Sequence, residues 1–165
     1  MSDIQATSSL LTEVAPILNL EALVQHETEE DGSSWDLVFD DDLMVQAFHQ
    51  EDVGRLVFTA DVGTPPPLET SRVHKLLLEY NYLWRETSGV RMALEPPEGT
   101  VVMIYDVTVD SLDGVTLRNI LENFANAARA WKAMVTTAAD SKGEGHVTDD
   151  DYRADSPVGS PMIRV

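Results

Sequence analysis

Residues 35–62 read WDLVFDDDLMVQAFHQEDVGRLVFTADV and contain three short stretches of strand character in succession. In the first, 35–40, large apolar residues alternate with mostly polar ones, which is typical of a strand with one buried face. The stretches 43–48 and 53–62 each follow an acidic turn, and turn signals about every ten residues indicate an antiparallel meander. The run Gly-Thr-Pro-Pro-Pro at 63–67 ends it, because neither a sheet nor a helix tolerates such a segment.

Helical patterns flank this meander. Residues 69–86 predict a strong helix whose apolar arc is wider than one face, as expected of a helix that also covers a partner subunit. Before the polar break at 26–34, apolar residues spaced by three and four predict a first helix, which Pro16 either kinks or splits in two. That apolar set consists of Leu10, Leu11, Val14, Ile17, Leu18, Leu20 and Leu23.

A hairpin and a last helix complete the order. Residues 90–95 and 100–109 are joined by a Pro-Pro-Glu-Gly turn, and the second is apolar on both faces, which predicts a central strand. Asp113 is expected to cap the last helix. The pattern predicts an α+β fold of helix, three-strand antiparallel meander, helix, β-hairpin and helix. This domain spans residues 1–137, with an acidic flexible tail at 138–165 and a core that includes Phe39, Phe58, Phe124 and Trp131.

The charge of the chain is strongly negative and uneven. The net charge is −18, and no Lys or Arg precedes Arg55. Such a field repels phosphate backbones and anionic lipid, so neither nucleic acid nor a membrane surface is an expected partner. It favours basic polypeptides, or it serves solubility alone. The absence of Cys, of a basic signal region and of an apolar run of about 18 residues predicts a cytoplasmic protein.

No active site stands out in this sequence. The four histidines fall on different predicted elements, and His26-Glu27 lacks the second histidine of the HExxH zinc motif, because Glu30 occupies that position. The Asp triplets at 40–42 and 149–151 lack the spacing of a calcium loop. No metal, cofactor or catalytic residue is therefore expected, and the chain is predicted not to be an enzyme.

A family resemblance covers about 135 residues of this order. Residues 76–84, LLLEYNYLW, resemble the Leu-rich helix with a late Asn found in class I type III secretion chaperones, the family of the Tir chaperone. The hairpin from Gly89 to Val109 and the Ser-Leu-Asp step at 111–113 before the last helix resemble that family too. Pro16 departs from the family's first helix, and the tail is longer than in many members. Size, acidity and tail are similar to the broad-specificity Hpa-type chaperones of plant pathogens.

The resemblance implies a bacterial cytoplasmic homodimer that binds the N-terminal segment of effector proteins in extended form and presents it to the export machinery. Implied partners are effectors, a second copy of the chain and, as a candidate, the secretion ATPase. It places cargo on Leu11, Val14 and Leu18 of the first helix and on Met44, Phe48 and Val57 of the strands. It places the dimer interface around Leu77, Tyr80, Asn81 and Trp84.

Two other functions fit the sequence. One is a non-secretory adaptor or regulator of the same fold that sequesters a cytosolic partner. The other is an enzyme with an unrecognised carboxylate pair, since 29 acidic residues allow many chance pairs. For each cargo residue on the first helix, the alternative role is core, because a Leu on an amphipathic helix usually faces inward.

Overall fold

The computed structural model describes residues 3–28, 32–39 and 43–137. In chain order its helices and strands are α1 Asp3–Val14, β1 Ala22–Thr28, β2 Gly32–Val38, β3 Met44–Gln50, β4 Arg55–Gly63, α2 Thr70–Tyr82, β5 Arg91–Glu95, β6 Thr100–Thr108 and α3 Gly114–Thr137. The predicted tail and both Asp triplets lie outside the described residues, so the division at residue 137 stays a prediction.

The predicted α+β class is confirmed, with one strand more than expected. The strands form an antiparallel six-stranded sheet of order β1-β2-β3-β4-β6-β5, so that β6 is an inner strand as its apolar sequence predicted. The prediction of a three-strand meander was wrong in its count, because β1 to β4 are four successive antiparallel neighbours.

The additional strand lies where helix and polar break were expected. The apolar spacing predicted a helix as far as Leu23, but α1 ends at Val14 and β1 runs from Ala22. Pro16 explains the early end, because proline has no backbone N–H and its ring clashes with the carbonyl four residues earlier. Within the predicted polar break, residues 26–28 end β1 and residues 32–34 begin β2, and Thr28 pairs with Gly32. His26 on the edge strand β1 is exposed, and an edge strand tolerates such a polar side chain.

One face of the sheet, which we call the inner face, carries the helices and the core. Strands β2, β3 and β4 bury every second residue in the core on this face. The four predicted core residues Phe39, Phe58, Phe124 and Trp131 are all buried, which confirms that prediction. The rings of Phe58 and Phe124 are 6.2 Å apart between centroids, so α3 packs directly on β4.

One local signal at the start of the last helix works as the sequence indicated. The backbone N–H of Thr116 donates a hydrogen bond of 2.7 Å to Oδ1 of Asp113, which satisfies a free donor of the first turn. This bond stabilises the ionised carboxylate and lowers the pKa of Asp113. Asp113 therefore caps α3 as predicted, and the cap fixes where the helix begins.

Candidate protein-binding surfaces

The face of the sheet opposite the helices, which we call the outer face, exposes apolar side chains. Met44 and Phe48 of β3 are 43% and 39% exposed, and Val57 of β4 is half-buried beside them. Phe48 lies directly across from Val57 in the β3–β4 pairing. The structure thus brings three of the predicted cargo residues onto one surface. Within the described residues, no helix covers it.

A groove of about 340 Å³ runs across this outer face between β3 and β5. Its apolar lining includes Phe48, Val102 and Ile104, and its polar lining includes Asp61 and Glu95. Val102 lies beside Asp61 on β4, and Ile104 is the next outer-face residue of β6. The groove is open, shallow and mixed in character, which suits an extended polypeptide better than a small substrate.

The polar side chains of the outer face form two hydrogen-bonded groups. On the β1 side, Nε2 of His26 lies 2.8 Å from Oδ2 of Asp36, and Nε2 of Gln46 donates to Oδ1 of the same carboxylate at 3.2 Å. On the β6 side, Nη1 of Arg55 lies 2.9 Å from Oδ2 of Asp106, and Nη1 of Arg91 lies 2.7 Å from Oδ1. Sequence reasoning missed both groups, because their members are on separate strands.

The predicted cargo residues of the first helix lie elsewhere. Leu11 and Val14 are 0% and 1% exposed, and Leu18 in the following turn is 8% exposed. All three belong to the same core cluster as the inner-face strands, in line with the alternative that an amphipathic helix faces the core. A cargo contact through them stays a prediction, and it requires α1 to leave the core.

Helix α2 has one buried and one exposed apolar side. Leu77 and Tyr80, two of the predicted dimer residues, are 4% and 1% exposed, and the Tyr80 ring meets Trp131 edge to face at 5.0 Å. Burial raises the pKa of the Tyr80 hydroxyl. The exposed side carries Leu78 and Tyr82, which are 71% and 83% exposed and one helical turn apart.

The exposed apolar side of α2 continues past the end of the helix. Trp84, a predicted dimer residue, is 60% exposed, and Leu83 is 39% exposed. We call Leu78, Tyr82, Leu83 and Trp84 the α2 patch. The breadth of the apolar arc was the sequence signal for this patch, but the predicted residue set favoured the buried side of the helix.

Asn81, the fourth predicted dimer residue, is bound to the edge of the sheet. Its Nδ2 donates to the carbonyl of Met92 at 3.0 Å, and its Oδ1 accepts from the N–H of Met92 at 2.8 Å. Met92 lies in β5, the edge strand next to β6. The amide therefore takes the place of a neighbouring strand at this point, whereas β1 is the edge strand at the other side of the sheet.

Replacing Asn81 with Leu is expected to lower the free energy of unfolding by about 1–3 kcal/mol, because the backbone groups of Met92 lose both partners. Asn119→Leu is the matched control, since Asn119 is exposed on α3, and we expect its effect to stay within about 0.5 kcal/mol. Urea denaturation of the three proteins measures the difference. Equal stability of both variants would show that the Asn81 amide is not a structural cap.

The described residues contain no metal-binding cluster. In residues 3–28, 32–39 and 43–137, no group of three or more His, Asp or Glu side chains could hold a metal ion. His26 is on the outer face, His49 is buried in β3 and His74 is on α2, while His146 lies outside the described residues. None of the helices in the described part of the chain has the length and apolar character that crossing a bilayer requires.

The model of the Tir chaperone protein (CesT) family matches residues 9–132. The chain belongs to this family. The match spans all six strands, the second half of α1 and most of α3, and it confirms the resemblance to class I type III secretion chaperones. The family consists of secretion chaperones rather than enzymes. Membership of this family confirms the predictions of an effector-binding chaperone and of a non-enzymatic protein.

Solved structures of similar fold agree with the family match. A chain of the ExsC–ExsE complex has a TM-score of 0.68 at 20% identity, covering 82% of this chain and 97% of that chain. A chain of the HopA1–SchA chaperone–effector complex has a TM-score of 0.59 at 16% identity, covering 76% and 92%. No curated protein matches the sequence significantly.

The same fold also occurs outside those complexes. An uncharacterized protein from Methanothermobacter thermautotrophicus has a TM-score of 0.54 at 14% identity, covering 81% of this chain and 96% of that chain. At such identities the likeness shows the fold alone. The assignment of this chain as a secretion chaperone therefore depends on the family match.

Proposed function

We propose that this Tir-family chaperone binds the N-terminal segments of effectors on the outer face of its sheet and presents them to the export machinery of a bacterial cytoplasm. The observation that carries the proposal is the apolar set Met44, Phe48 and Val57 on the side of the sheet away from the helices, where Phe48 lines an open groove. Apolar side chains on a sheet face without a covering layer favour association with another polypeptide.

The edge strand β1 supports binding in extended form. Half of the backbone N–H and C=O groups of an edge strand point away from its neighbour and are available to an added strand. Asn81 occupies such groups at Met92 on the β5 edge, so an incoming segment finds its open edge at β1. Main-chain bonds there bind one part of the effector segment, and the groove across β3 to β6, farther along the sheet, binds the side chains of another part.

The α2 patch is the surface we assign to a second copy of the chain. It lies on α2 and the turn after it, whereas the groove is lined by β3 to β6, so one surface can pair the subunits while the other holds cargo. The acidity and size that resemble Hpa-type chaperones lead us to propose binding of several effectors. The secretion ATPase is a further proposed partner.

The double variant Phe48→Asp with Val57→Asp tests the outer face directly. We expect it to stay folded, because Phe48 is exposed and Val57 is half-buried, and to lose effector binding by about 100-fold, since two apolar contacts of roughly 1.5–3 kcal/mol each are replaced by solvated charges. Pull-down and calorimetry with co-expressed effectors measure the loss.

The control for this variant is Val115→Asp, because Val115 is 69% exposed on α3, away from the groove. Circular dichroism checks that both proteins are folded. Full effector binding by folded Phe48→Asp/Val57→Asp protein would remove the outer face from the proposal, and loss of binding in Val115→Asp would show that any added charge has the same effect.

A further inference from the structure

The outer face contains a cationic site within a strongly acidic protein. Arg55 and Arg91 each direct one Nη1 to a different oxygen of Asp106, at 2.9 and 2.7 Å. The two arginine side chains are 55% and 56% exposed, whereas the Asp106 side chain is 16% exposed. An Arg side chain has five N–H donors, so one carboxylate leaves donors of both guanidinium groups facing water. The local charge of this trio is positive, in a chain of net charge −18.

This cationic site borders the apolar groove. Asp106 pairs with Val57, which in turn pairs with Phe48, and Arg91 pairs with Ile104. Farther along the same strands, Asp61 pairs with Val102, and Glu95 pairs with Thr100. Along β4 and β6, the cationic site therefore borders one end of the groove, Ile104 lies in the middle beside Thr59, and Asp61 and Glu95 lie at the other, anionic end.

Successive zones are two residues apart along β4, which is also the interval between side chains on one side of an extended peptide. The rows of Val57 and Asp61 are four residues apart on β4, which is about 13 Å at a rise of roughly 3.3 Å per residue. An extended peptide lying along the strands directs residues i, i+2 and i+4 to the same side, at that same rise. Three successive inward side chains of such a peptide span the groove from end to end.

We propose that the outer face selects cargo segments in which an acidic, an apolar and a basic residue alternate with other residues. The acidic side chain binds Arg55 and Arg91, the apolar side chain fills the middle near Ile104, and the basic side chain meets Asp61 and Glu95. Charge-assisted bonds from guanidinium to carboxylate are strong and directional, so they set preference among segments that share the same apolar residue. This inference rests on the proposed function of the outer face.

The proposal runs against what the net charge alone predicts. A field of −18 favours a segment with two basic residues over a segment with one of each sign. A preference for the mixed segment can therefore come only from local contacts. Added salt screens the long-range field of the protein strongly, and it screens contacts that the bound peptide shields from water much less.

Fluorescence polarisation with three labelled peptides tests the proposal on the full chain at two salt concentrations. The peptides share one Val in a Ser/Thr background and carry Glu and Lys, two Lys, or two Glu at the flanking positions, two residues on either side of Val. We expect the Glu/Lys peptide to bind about fivefold to tenfold more tightly than either of the others. Arg55→Gln with Arg91→Gln should abolish that advantage over the two-Lys peptide.

Two further variants complete the test: one is expected to tighten peptide binding, and the other is a control. Asp106→Asn removes the internal carboxylate charge and should tighten binding of the Glu/Lys peptide by about threefold, an estimate that follows from one exposed ion pair. It also keeps the proposal testable where the double Arg variant does not fold. Arg72→Gln with Lys75→Gln makes the same charge change on α2 and should leave the peptide preference unchanged.

Several results would overturn the inference. These are tightest binding of the two-Lys peptide, equal binding of all three, or binding only after deletion of residues 140–165, which would identify that segment as the occupant. A change in oligomeric state of the Arg variants in light scattering would instead identify the face as a self-interface. If effectors still require Phe48 and Val57 in any of these cases, the proposed function stands and only the charge pattern is lost.

Discussion

Leu11→Asp is expected to destabilise the fold strongly rather than to weaken cargo binding alone. Leu11 is 0% exposed and belongs to the main core cluster. Truncating a buried Leu to Ala costs about 2–5 kcal/mol, and a buried carboxylate adds a desolvation penalty. We therefore expect the free energy of unfolding to fall by at least about 4 kcal/mol, which is a large part of the 5–15 kcal/mol typical of a domain.

Thermal denaturation followed by circular dichroism measures this effect. For a chain of this size, a loss of about 4 kcal/mol lowers the melting temperature by roughly 10 °C or more. Ser9→Asp is the matched control, because Ser9 is exposed on the same helix and the change adds the same charge. A Leu11→Asp protein that melts like the wild type and fails to bind effectors would place α1 on the cargo surface after all.

Leu78→Asp with Tyr82→Asp is expected to convert the proposed homodimer into a monomer. Both side chains are more than two-thirds exposed in the single chain, so the charges cost little in the monomer. In a dimer formed through the α2 patch, the same changes bury unpaired charges near a twofold axis and weaken association by more than about 100-fold, or roughly 3 kcal/mol.

Size-exclusion chromatography with light scattering distinguishes the two states, since one chain has a mass of 18.2 kDa. Val53→Asp serves as control, because Val53 is also exposed, at 55%, but lies in the turn between β3 and β4. The wild type and Val53→Asp should elute as dimers. A monomeric wild type would contradict the predicted homodimer, and a dimeric double variant would move the interface away from α2.

The order of elements followed from the sequence because most of its signals are local. The alternation of apolar and polar residues in 35–62 predicted the meander, and the 3.6-residue apolar repeat predicted α2 and α3. Asp113 predicted where α3 begins. β1 was missed because Leu20 and Leu23 continue the helical spacing of α1, and a short segment with such spacing fits helix or strand equally well. Its pairing with β2 is a tertiary interaction, which no local pattern contains.

The candidate site was predictable only in part, for a related reason. Strand parity places Met44, Phe48 and Val57 opposite the core set, so their common face could be derived from sequence. A helix offers no such rule when more than one of its sides is apolar, and for α2 the buried side was chosen instead of Leu78 and Tyr82. The trio of Arg55, Arg91 and Asp106 has no sequence signal, because its members meet only through the β4–β6–β5 pairing.

The bond between Asn81 and Met92 also bears on how the protein behaves at high concentration. Sheets with two open edges can join end to end without limit, because each added copy presents a fresh edge to the next. Here the Asn81 amide caps β5 within the chain itself, so edge pairing through β1 stops after one step. In the proposed binding mode, the protein keeps one free strand edge for the effector segment and does not assemble into open-ended filaments.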